Sequence, residues 1–268
     1  MLQEEIIFAI VLLKVYGKGY CQVRRFFISK ENIDGQQARL TGSCSHHLRD
    51  VLRMQKGEKI ILALDGLEYL AEIQEFSGDE VLCLLLETRQ GQGEPPVEVV
   101  LLLGIPKGEK LELVIQKAVE LGVSRMVVLE TERSVVKLDR TKAERRLQRW
   151  QRISLEAAKQ CQRSTVPQVE GVYKLSQYLE ENLKGEALFL VPWEDEETTG
   201  IGEVLKAHSQ ARRVYLLIGP EGGLSKEEVE LAKAHGGIPV SLGPRILRTE
   251  TAAIVAPALV LYQLGDLN

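Results

Sequence analysis

Residues 214–253 read VYLLIGPEGGLSKEEVELAKAHGGIPVSLGPRILRTETAA, and they contain two apolar segments with the composition of buried β-strands. The segments, 214–218 and 239–242, are each followed by a loop of Gly and Pro, at 219–223 and 243–245. Glycine adopts backbone conformations that other residues avoid, and it lets a ligand approach the main chain closely. Ligands of α/β proteins bind where strands end. The stretch therefore predicts a pocket lined by backbone groups, with a tight turn that binds nothing as the alternative.

Strands and helices alternate around this pocket. Ser225 and Glu228 form a capping-box pattern, which predicts a helix that starts directly after the first loop and ends before Gly236. The spacing of apolar residues predicts further helices at 110–121, 139–161, 201–208 and 251–264 and strands at 97–105, 125–129 and 187–191. Pro257 is expected to kink the last helix or to mark an early turn in it. This alternation predicts an α/β domain with a mostly parallel, two-sided sheet over residues 97–268.

Residues 24–90 have the pattern of a small β domain. Segments 58–64 and 67–75 flank Asp65-Gly66, a strong signal for a two-residue hairpin turn. Shorter apolar segments at 38–40 and 81–87 predict further strands. Several strands in so short a segment predict a small, OB-like barrel, a fold that often binds nucleic acid.

A short helix and a linker complete this half of the chain. Residues 43–53 have helical spacing, with Leu48, Val51 and Leu52 on one apolar side. Gly and Pro punctuate residues 91–96, which are predicted to join the two domains.

Residues 1–23 are predicted to be an N-terminal extension. Glu4 and Glu5 precede a short apolar run, whereas a secretory signal begins with basic residues, and the run is too short to span a membrane. Two alternatives remain open: a helical tail, or a start site assigned too far upstream.

The four cysteines exclude some classes of protein. They are far apart in sequence and no His cluster accompanies them, so neither a zinc site nor a disulfide framework is expected. No apolar run approaches the length of a membrane span. We therefore expect a cytoplasmic protein with buried free thiols, no metal and no membrane segment.

Charge is unevenly distributed along the chain. The net charge is −4, yet residues 105–165 contain 14 Lys and Arg against 8 Asp and Glu. This asymmetry indicates a basic patch for an anionic partner. A solvated helix face rich in arginine is the alternative.

The first loop is a poor phosphate site. A glycine loop before a helix can bind phosphate, but this one lacks the Gly-Lys-Ser/Thr of a P-loop, and Glu221 would repel an anion. A neutral or cationic ligand held by main-chain groups fits better.

Several blocks of the sequence resemble one known family. IGPEGGLSKEE and SLGPRILRTETA, at 218–228 and 241–252, look like motifs of the bacterial 16S ribosomal RNA uracil-N3 methyltransferases of the SPOUT superfamily. RRFF at 24–27, HHL at 46–48, KAVELGV at 117–123 and EAAKQCQR at 156–163 resemble further motifs of that family. The resemblance runs from Arg24 to the C-terminus.

The resemblance implies both architecture and activity. It implies a PUA-like β-barrel over residues 24–90 and an α/β SPOUT domain with a trefoil knot over residues 97–268. It also implies S-adenosylmethionine as methyl donor, a homodimer, and methylation of N3 of a uridine in the decoding region of 16S ribosomal RNA, either free or in the 30S subunit. True knots are rare, and no pattern of apolar residues predicts one.

By this resemblance, three loops hold the cofactor: the loop after Val191, residues 219–223 and residues 242–247. The expected cofactor-binding residues are Pro192, Leu217, Gly219, Glu221, Gly222, Leu242, Gly243, Ile246 and Leu247. Apolar members of this set could pack on the adenine faces, and backbone groups could read its edge. The expected RNA-binding residues are Arg24, Arg25, Lys107, Lys117, Arg133, Arg149 and Arg163, whose positive charges suit phosphate.

Catalytic roles are assigned to Arg248 and Glu221. Arg248 could stabilise negative charge on the uracil oxygens, or it could pair with Glu250 or Glu221 and hold the loop. Either glutamate is a candidate acceptor for the N3 proton, although a base needs a geometry that sequence does not supply. Two other functions stay open: a related methyltransferase that acts on another RNA site, and a non-catalytic RNA-binding protein. A nucleotide-binding enzyme is disfavoured by the missing Lys-Ser/Thr.

Overall fold

The computed structural model describes residues 23–91, 93–134, 140–183 and 185–267. The expected N-terminal extension therefore lies, except for Val23, outside the described residues. The chain divides into two compact units, the first ending at Gln90 and the second starting at Gly91.

The N-terminal unit is a curled sheet of six strands. Its hydrogen-bonded order is β1-β4-β5-β6-β3-β2, with β1 parallel to β4 and every other pair antiparallel. Two register shifts between β5 and β6 bend the sheet. The strands are β1 Arg25–Phe27, β2 Ile33–Asp34, β3 Gln37–Leu40, β4 Lys59–Leu64, β5 Leu67–Ser77 and β6 Glu80–Gln90. The small β domain expected from the sequence is confirmed.

The Asp65-Gly66 hairpin is present. Leu64 pairs with Leu67, and Asp65 and Gly66 have φ values of 47° and 84°, as a turn with two left-handed residues requires. The predicted helix is less regular, because α1 Gly42–His46 continues as a π-helical turn, His47–Val51.

The π-helical turn corrects one sequence expectation. Leu48 is buried, but Val51 is 58% exposed, so its expected place on the apolar side was wrong. A π turn has more residues per turn than an α-helix, so the 3.6-residue spacing no longer holds there.

Glu68 is a fully buried carboxylate on β5. Arg25 and Arg89 contact its two oxygens at 2.7 and 2.6 Å. Burial acts to raise the pKa of Glu68, but the hydrogen bonds from Arg89 and Arg25 outweigh it and hold the pKa below its ordinary value. The two guanidinium groups therefore neutralise a charge inside the unit.

The C-terminal unit contains a six-stranded sheet in which every pair is parallel. Its order is β12-β10-β11-β7-β8-β9, as expected for an α/β domain. The strands are β7 Glu98–Gly104, β8 Arg125–Glu130, β9 Gln168–Lys174, β10 Leu188–Pro192, β11 Arg213–Ile218 and β12 Gly237–Val240. The trefoil knot stays a prediction.

Six helices accompany this sheet in the part of the chain that the structure describes. They are α2 Lys110–Leu121, α3 Arg140–Gln160, α4 Leu175–Asn182, α5 Ile201–Ala207, α6 Lys226–Ala234 and α7 Thr249–Gln263. Helix α2 ends at Gly122, whose φ of 111° suits glycine. Helix α7 continues through the buried Pro257 and packs on α2, so Pro257 lies inside the helix and does not mark its first turn.

The segment expected to be a linker is attached to the C-terminal unit. Glu94 forms an ion pair with Arg163 at 2.6 Å and accepts hydrogen bonds from the amides of Ser164 and Thr165 at 3.0 and 2.9 Å. Arg163 also donates to the carbonyls of Val119 and Val123. Glu94 thereby fixes the end of α3 and the start of the second unit.

No described helix is both long enough and apolar enough to cross a membrane.

Glu68→Gln is expected to destabilise the N-terminal unit by about 2 kcal/mol at neutral pH, because two half-buried guanidinium groups lose their counter-charge. Hydrogen exchange of peptides from β5 and β6 in the full chain should show protection lowered by roughly 30-fold. Glu75→Gln, at an exposed position of the same strand, is the control.

The effect of Glu68→Gln should depend on pH. Because folding lowers the pKa of Glu68 from its ordinary 4.5, its stabilisation is complete above that pH and is lost as the pH falls through the lowered pKa. The difference from wild type should therefore disappear in acid. Equal protection of both proteins at neutral pH would contradict this account.

Candidate functional site

Three loops leave one edge of the C-terminal sheet side by side. Strand β10 pairs in parallel with β11 on one side and with β12 on the other, so the carboxyl ends of all three strands point the same way. The loops are residues 193–200, 219–224 and 241–248. The sequence predicted loops at the ends of β11 and β12, and the structure places the third expected loop between them.

Glycine is required in the loop after β11. A Cβ atom on Gly219 would lie 2.8 Å from the Gly223 carbonyl carbon and 2.9 Å from the Leu224 amide nitrogen. Gly223 has a φ of 71°, and a Cβ there would collide with the carboxylate of Glu194. Both positions therefore exclude larger residues.

The capping box after this loop also joins a second loop. Ser225 accepts a hydrogen bond from the Glu228 amide, and Glu228 Oε2 accepts one from the Ser225 amide at 3.0 Å. The other oxygen of Glu228 accepts from the amide of Glu132, in the loop after β8, at 2.8 Å. One buried carboxylate thus connects the loops after β8 and β11.

Arg133 lies across Gly222. Its guanidinium donates to the Gly222 carbonyl at 2.8 Å, and a Cβ on Gly222 would be 3.0 Å from Arg133 Cβ. An expected RNA-binding residue and an expected cofactor-binding residue are therefore in direct contact.

Glu221 is held by two groups of the neighbouring segment. Its oxygens accept from the Lys107 amide at 3.0 and 3.2 Å, and Lys110 Nζ lies 3.0 Å from Oε1. Burial acts to raise the pKa of Glu221, but hydrogen bonds from its own amide, Lys110 and Lys107 lower it overall. Glu221 is therefore a weak base that is committed to contacts within the protein.

Lys110 has a second carboxylate partner. Its Nζ lies 3.4 Å from Glu250 Oε2, a buried atom with no hydrogen-bond partner among the described residues. The interaction with Glu221 and, less strongly, the ion pair with Glu250 raise the pKa of Lys110. Lys110 therefore carries a positive charge between the loop after β11 and the first turn of α7.

The loop after β12 has unused backbone groups. Within the described part of the chain, the amides of Leu242 and of residues 245–248 donate no hydrogen bond. Ile246 is 88% exposed, and Leu242 and Leu247 are half-buried. Gly243 has a φ of 111° with open space around it. This loop presents both polar and apolar groups to a ligand.

Two of the expected cofactor-binding residues, Leu217 and Pro192, lie in strands and not in the loops. Leu217 is completely buried in the core of the unit, so it supports the loop and has no surface for a ligand. Pro192 is half-buried at the end of β10.

Arg248 is exposed at the N-cap of α7. The alternative expected for it was a salt bridge with Glu221 or Glu250, but the ion pairs that these carboxylates form among the described residues are with Lys110. Among the described residues, the Arg248 guanidinium forms no ion pair.

The expected RNA-binding residues fall into two groups. Arg163 is 3% exposed and Arg25 is engaged with Glu68, so neither side chain is presented to a partner. The others are accessible, although two form surface ion pairs, Arg149 with Glu112 and Lys117 with Glu120. The accessible set is Arg24, Lys107, Lys117, Arg133 and Arg149.

Sequence reasoning missed the contacts of Lys110 and Glu194 and the second role of Glu228. Lys110 stands out in sequence only as a lysine seven residues before Lys117. Its partners are more than a hundred residues away, and no local pattern reports such a contact. The described residues include no group of three or more His, Cys, Asp and Glu side chains that could hold a metal ion.

Two family profiles match the sequence. A profile described as an RNA methyltransferase domain matches residues 93–261, and one described as an RNA methyltransferase PUA domain matches residues 40–86. The first falls within the C-terminal unit and the second within the N-terminal unit.

Curated relatives are similar over nearly the whole chain. The ribosomal RNA small subunit methyltransferase E of Bacillus subtilis is 37% identical over 90% of this chain and 97% of its own length. The protein of the same name from Synechocystis is 34% identical over 94% of this chain and 80% of its own length.

Two solved structures with bound S-adenosylmethionine have the same fold. One is the Neisseria gonorrhoeae ribosomal RNA small subunit methyltransferase E, with a TM-score of 0.80 and 28% identity over 92% of this chain and 100% of that one. The other, from Legionella pneumophila, has a TM-score of 0.76 and 35% identity over 89% and 97%. The chain therefore belongs to the ribosomal RNA small subunit methyltransferase E family.

Proposed function

We propose that this protein uses S-adenosylmethionine to methylate N3 of a uridine in the decoding region of 16S ribosomal RNA. The observation that supports this most is the set of three loops at one edge of a SPOUT-like sheet, in a chain whose relatives are ribosomal RNA methyltransferases. A ribosomal substrate also implies a cytoplasmic location. The proposed partner is 16S RNA, either free or within the 30S subunit.

The loop residues fit this cofactor. The unused amides of 242 and 245–248 can read the edge of an adenine, and the exposed Ile246 and the half-buried Leu242 and Leu247 can cover its faces. When bound, the cofactor supplies a methyl group activated by a positively charged sulfur. Residues that would hold it are Pro192, Gly219, Gly222, Leu242, Gly243, Ile246 and Leu247, with Leu217 as support from the core.

Glu221 is better suited to holding the loop than to accepting a proton. Its oxygens are occupied by the Lys107 amide and Lys110, and its lowered pKa makes it a weak base. We therefore propose Glu221 as a structural member of the cofactor site and do not assign it the N3 proton.

Arg248 is the proposed catalytic residue. Transfer of the N3 proton to solvent water would leave negative charge on the uracil oxygens, and a nearby guanidinium would stabilise that charge. The Arg248 side chain is exposed and is not neutralised by Glu221 or Glu250, which supports this role over a loop-holding one.

RNA would contact the accessible basic residues. Lys107 and Arg133 flank the loop after β11, and Arg149 and Lys117 lie on α3 and α2. Contacts with phosphate release counterions, so the salt dependence of RNA affinity measures how many such contacts form. A slope near zero would exclude this basic set.

A homodimer is proposed from one face of α7. Leu259 and Tyr262 are exposed there, and Val255 lies one turn earlier on the same side. A second copy of the chain could cover these apolar groups through a two-fold axis. The occupant is inferred from the resemblance to dimeric SPOUT enzymes.

Sedimentation velocity should give a dimer for the wild type and a monomer for Tyr262→Glu, because a charge on this face opposes its burial. Val51→Glu, at an exposed apolar position of the other unit, should remain a dimer. A monomeric wild type would contradict the proposal.

Mass mapping of 16S RNA tests the site of methylation. RNA from cells that lack this protein should have lost one N3-methyluridine in the decoding region, and the purified protein with S-adenosylmethionine should restore it. Loss of a methyl group elsewhere would indicate a related enzyme with another target. Unchanged RNA, together with no heat of S-adenosylmethionine binding, would favour a non-catalytic RNA-binding protein.

Arg248→Ala is expected to lower the single-turnover rate of methyl transfer by about 100-fold, the usual effect of removing one charge-stabilising donor. Cofactor affinity, measured by calorimetry, should change little. Arg212→Ala, which replaces an exposed arginine just before β11, should have the wild-type rate. A normal rate for Arg248→Ala would show that Arg248 is not catalytic.

A further inference from the structure

We propose that Lys110 is a positioning residue that holds the cofactor loop and the start of α7 in one arrangement, and that Arg248 depends on it. The proposal rests on the proposed function in which Arg248 assists methyl transfer. It extends that function to a residue that joins the two segments proposed to contact the ligands.

The contacts of Lys110 connect three segments. Lys110 is the first residue of α2, and its Nζ lies 3.0 Å from Glu221 in the loop after β11. It lies 3.4 Å from Glu250, in the first turn of α7. Glu221 in turn accepts a hydrogen bond from the Lys107 amide in the segment after β7. One ammonium group therefore joins the segments after β7 and β11 to α7.

The position of Glu250 makes this junction relevant to Arg248. Glu250 follows Arg248 by two residues, and Arg248 is the N-cap of the same helix. Glu250 Oε2 is buried and has Lys110 as its nearest cation among the described ion pairs. A shift of the α7 backbone at Glu250 would also shift the backbone of Arg248, because both residues lie at the start of the helix.

Charge explains why Lys110 holds this arrangement. Two carboxylates that face one ammonium group are left with uncompensated like charges if that group is removed. The repulsion is relieved either when the loop after β11 and the start of α7 move apart or when one of the two carboxylates takes up a proton. The body of α2 is anchored independently by the buried Leu111, Val114 and Ile115, so the change should remain local.

A double-mutant cycle on the full chain tests the proposal. Wild type, Lys110→Met, Arg248→Ala and the double variant are compared in single-turnover methyl transfer, with saturating cofactor and 16S RNA from cells that lack the protein. Lys110→Met should lower the rate by on the order of 10-fold, since small displacements of an aligned group are costly. The double variant should be no slower than Arg248→Ala alone.

Three further variants separate positioning from a general loss of structure. Lys110→Arg retains the charge and should restore most of the rate. Glu250→Gln removes the same contact from the other side and should show the same non-additivity with Arg248→Ala. Lys233→Met is the control. Lys233 is about as exposed as Lys110 and forms a surface ion pair with Glu230, so its replacement should leave the rate unchanged.

The outcomes distinguish the proposal from the function on which it rests. If the effects of Lys110→Met and Arg248→Ala multiply, Lys110 acts independently of Arg248 and the proposal is overturned while the function stands. If Arg248→Ala has the wild-type rate, the role of Arg248 fails and the proposal fails with it. A Lys110→Met rate equal to wild type also overturns it.

Discussion

The site depends on the parallel pairing of β10 with both β11 and β12. Parallel strands must be joined by crossovers, so their carboxyl ends collect at one edge and their loops lie together. The loop residues come from segments as far apart as 193–200 and 241–248, yet the pairing makes them neighbours. The cofactor contacts proposed above require this arrangement.

Much of the C-terminal unit could be predicted from the sequence, because strongly apolar strands and regular helices carry their own periodicity. Helix α2 was predicted with its bounds at Lys110 and Leu121, and its end at Gly122 follows from the left-handed residue there. Strand β9 and helix α4 were not predicted. Gln168–Lys174 is an edge strand with Glu and Gly inside it, so it lacks the apolar pattern of the central strands.

The positions of the candidate loops followed from glycine and proline, but the contacts that hold the loops did not. Glu221 and the Lys107 amide are 114 residues apart in the chain, and a contact at that distance leaves no local signal. Sequence also does not show which basic residues are already paired within the fold. Arg163 and Arg25 read as free basic residues in sequence, whereas the fold uses them to neutralise Glu94 and Glu68.

Glu228 has a wider consequence for how this unit opens. Its carboxylate accepts hydrogen bonds from the Ser225 amide at the start of α6 and from the Glu132 amide in the loop after β8. If either segment rearranges, this buried carboxylate loses a hydrogen-bond donor, which is costly. Segments that share such a group tend to unfold together as one cooperative element. The loop after β8 and the start of α6 should therefore unfold together, whereas local opening on its own should be confined to the loop after β12.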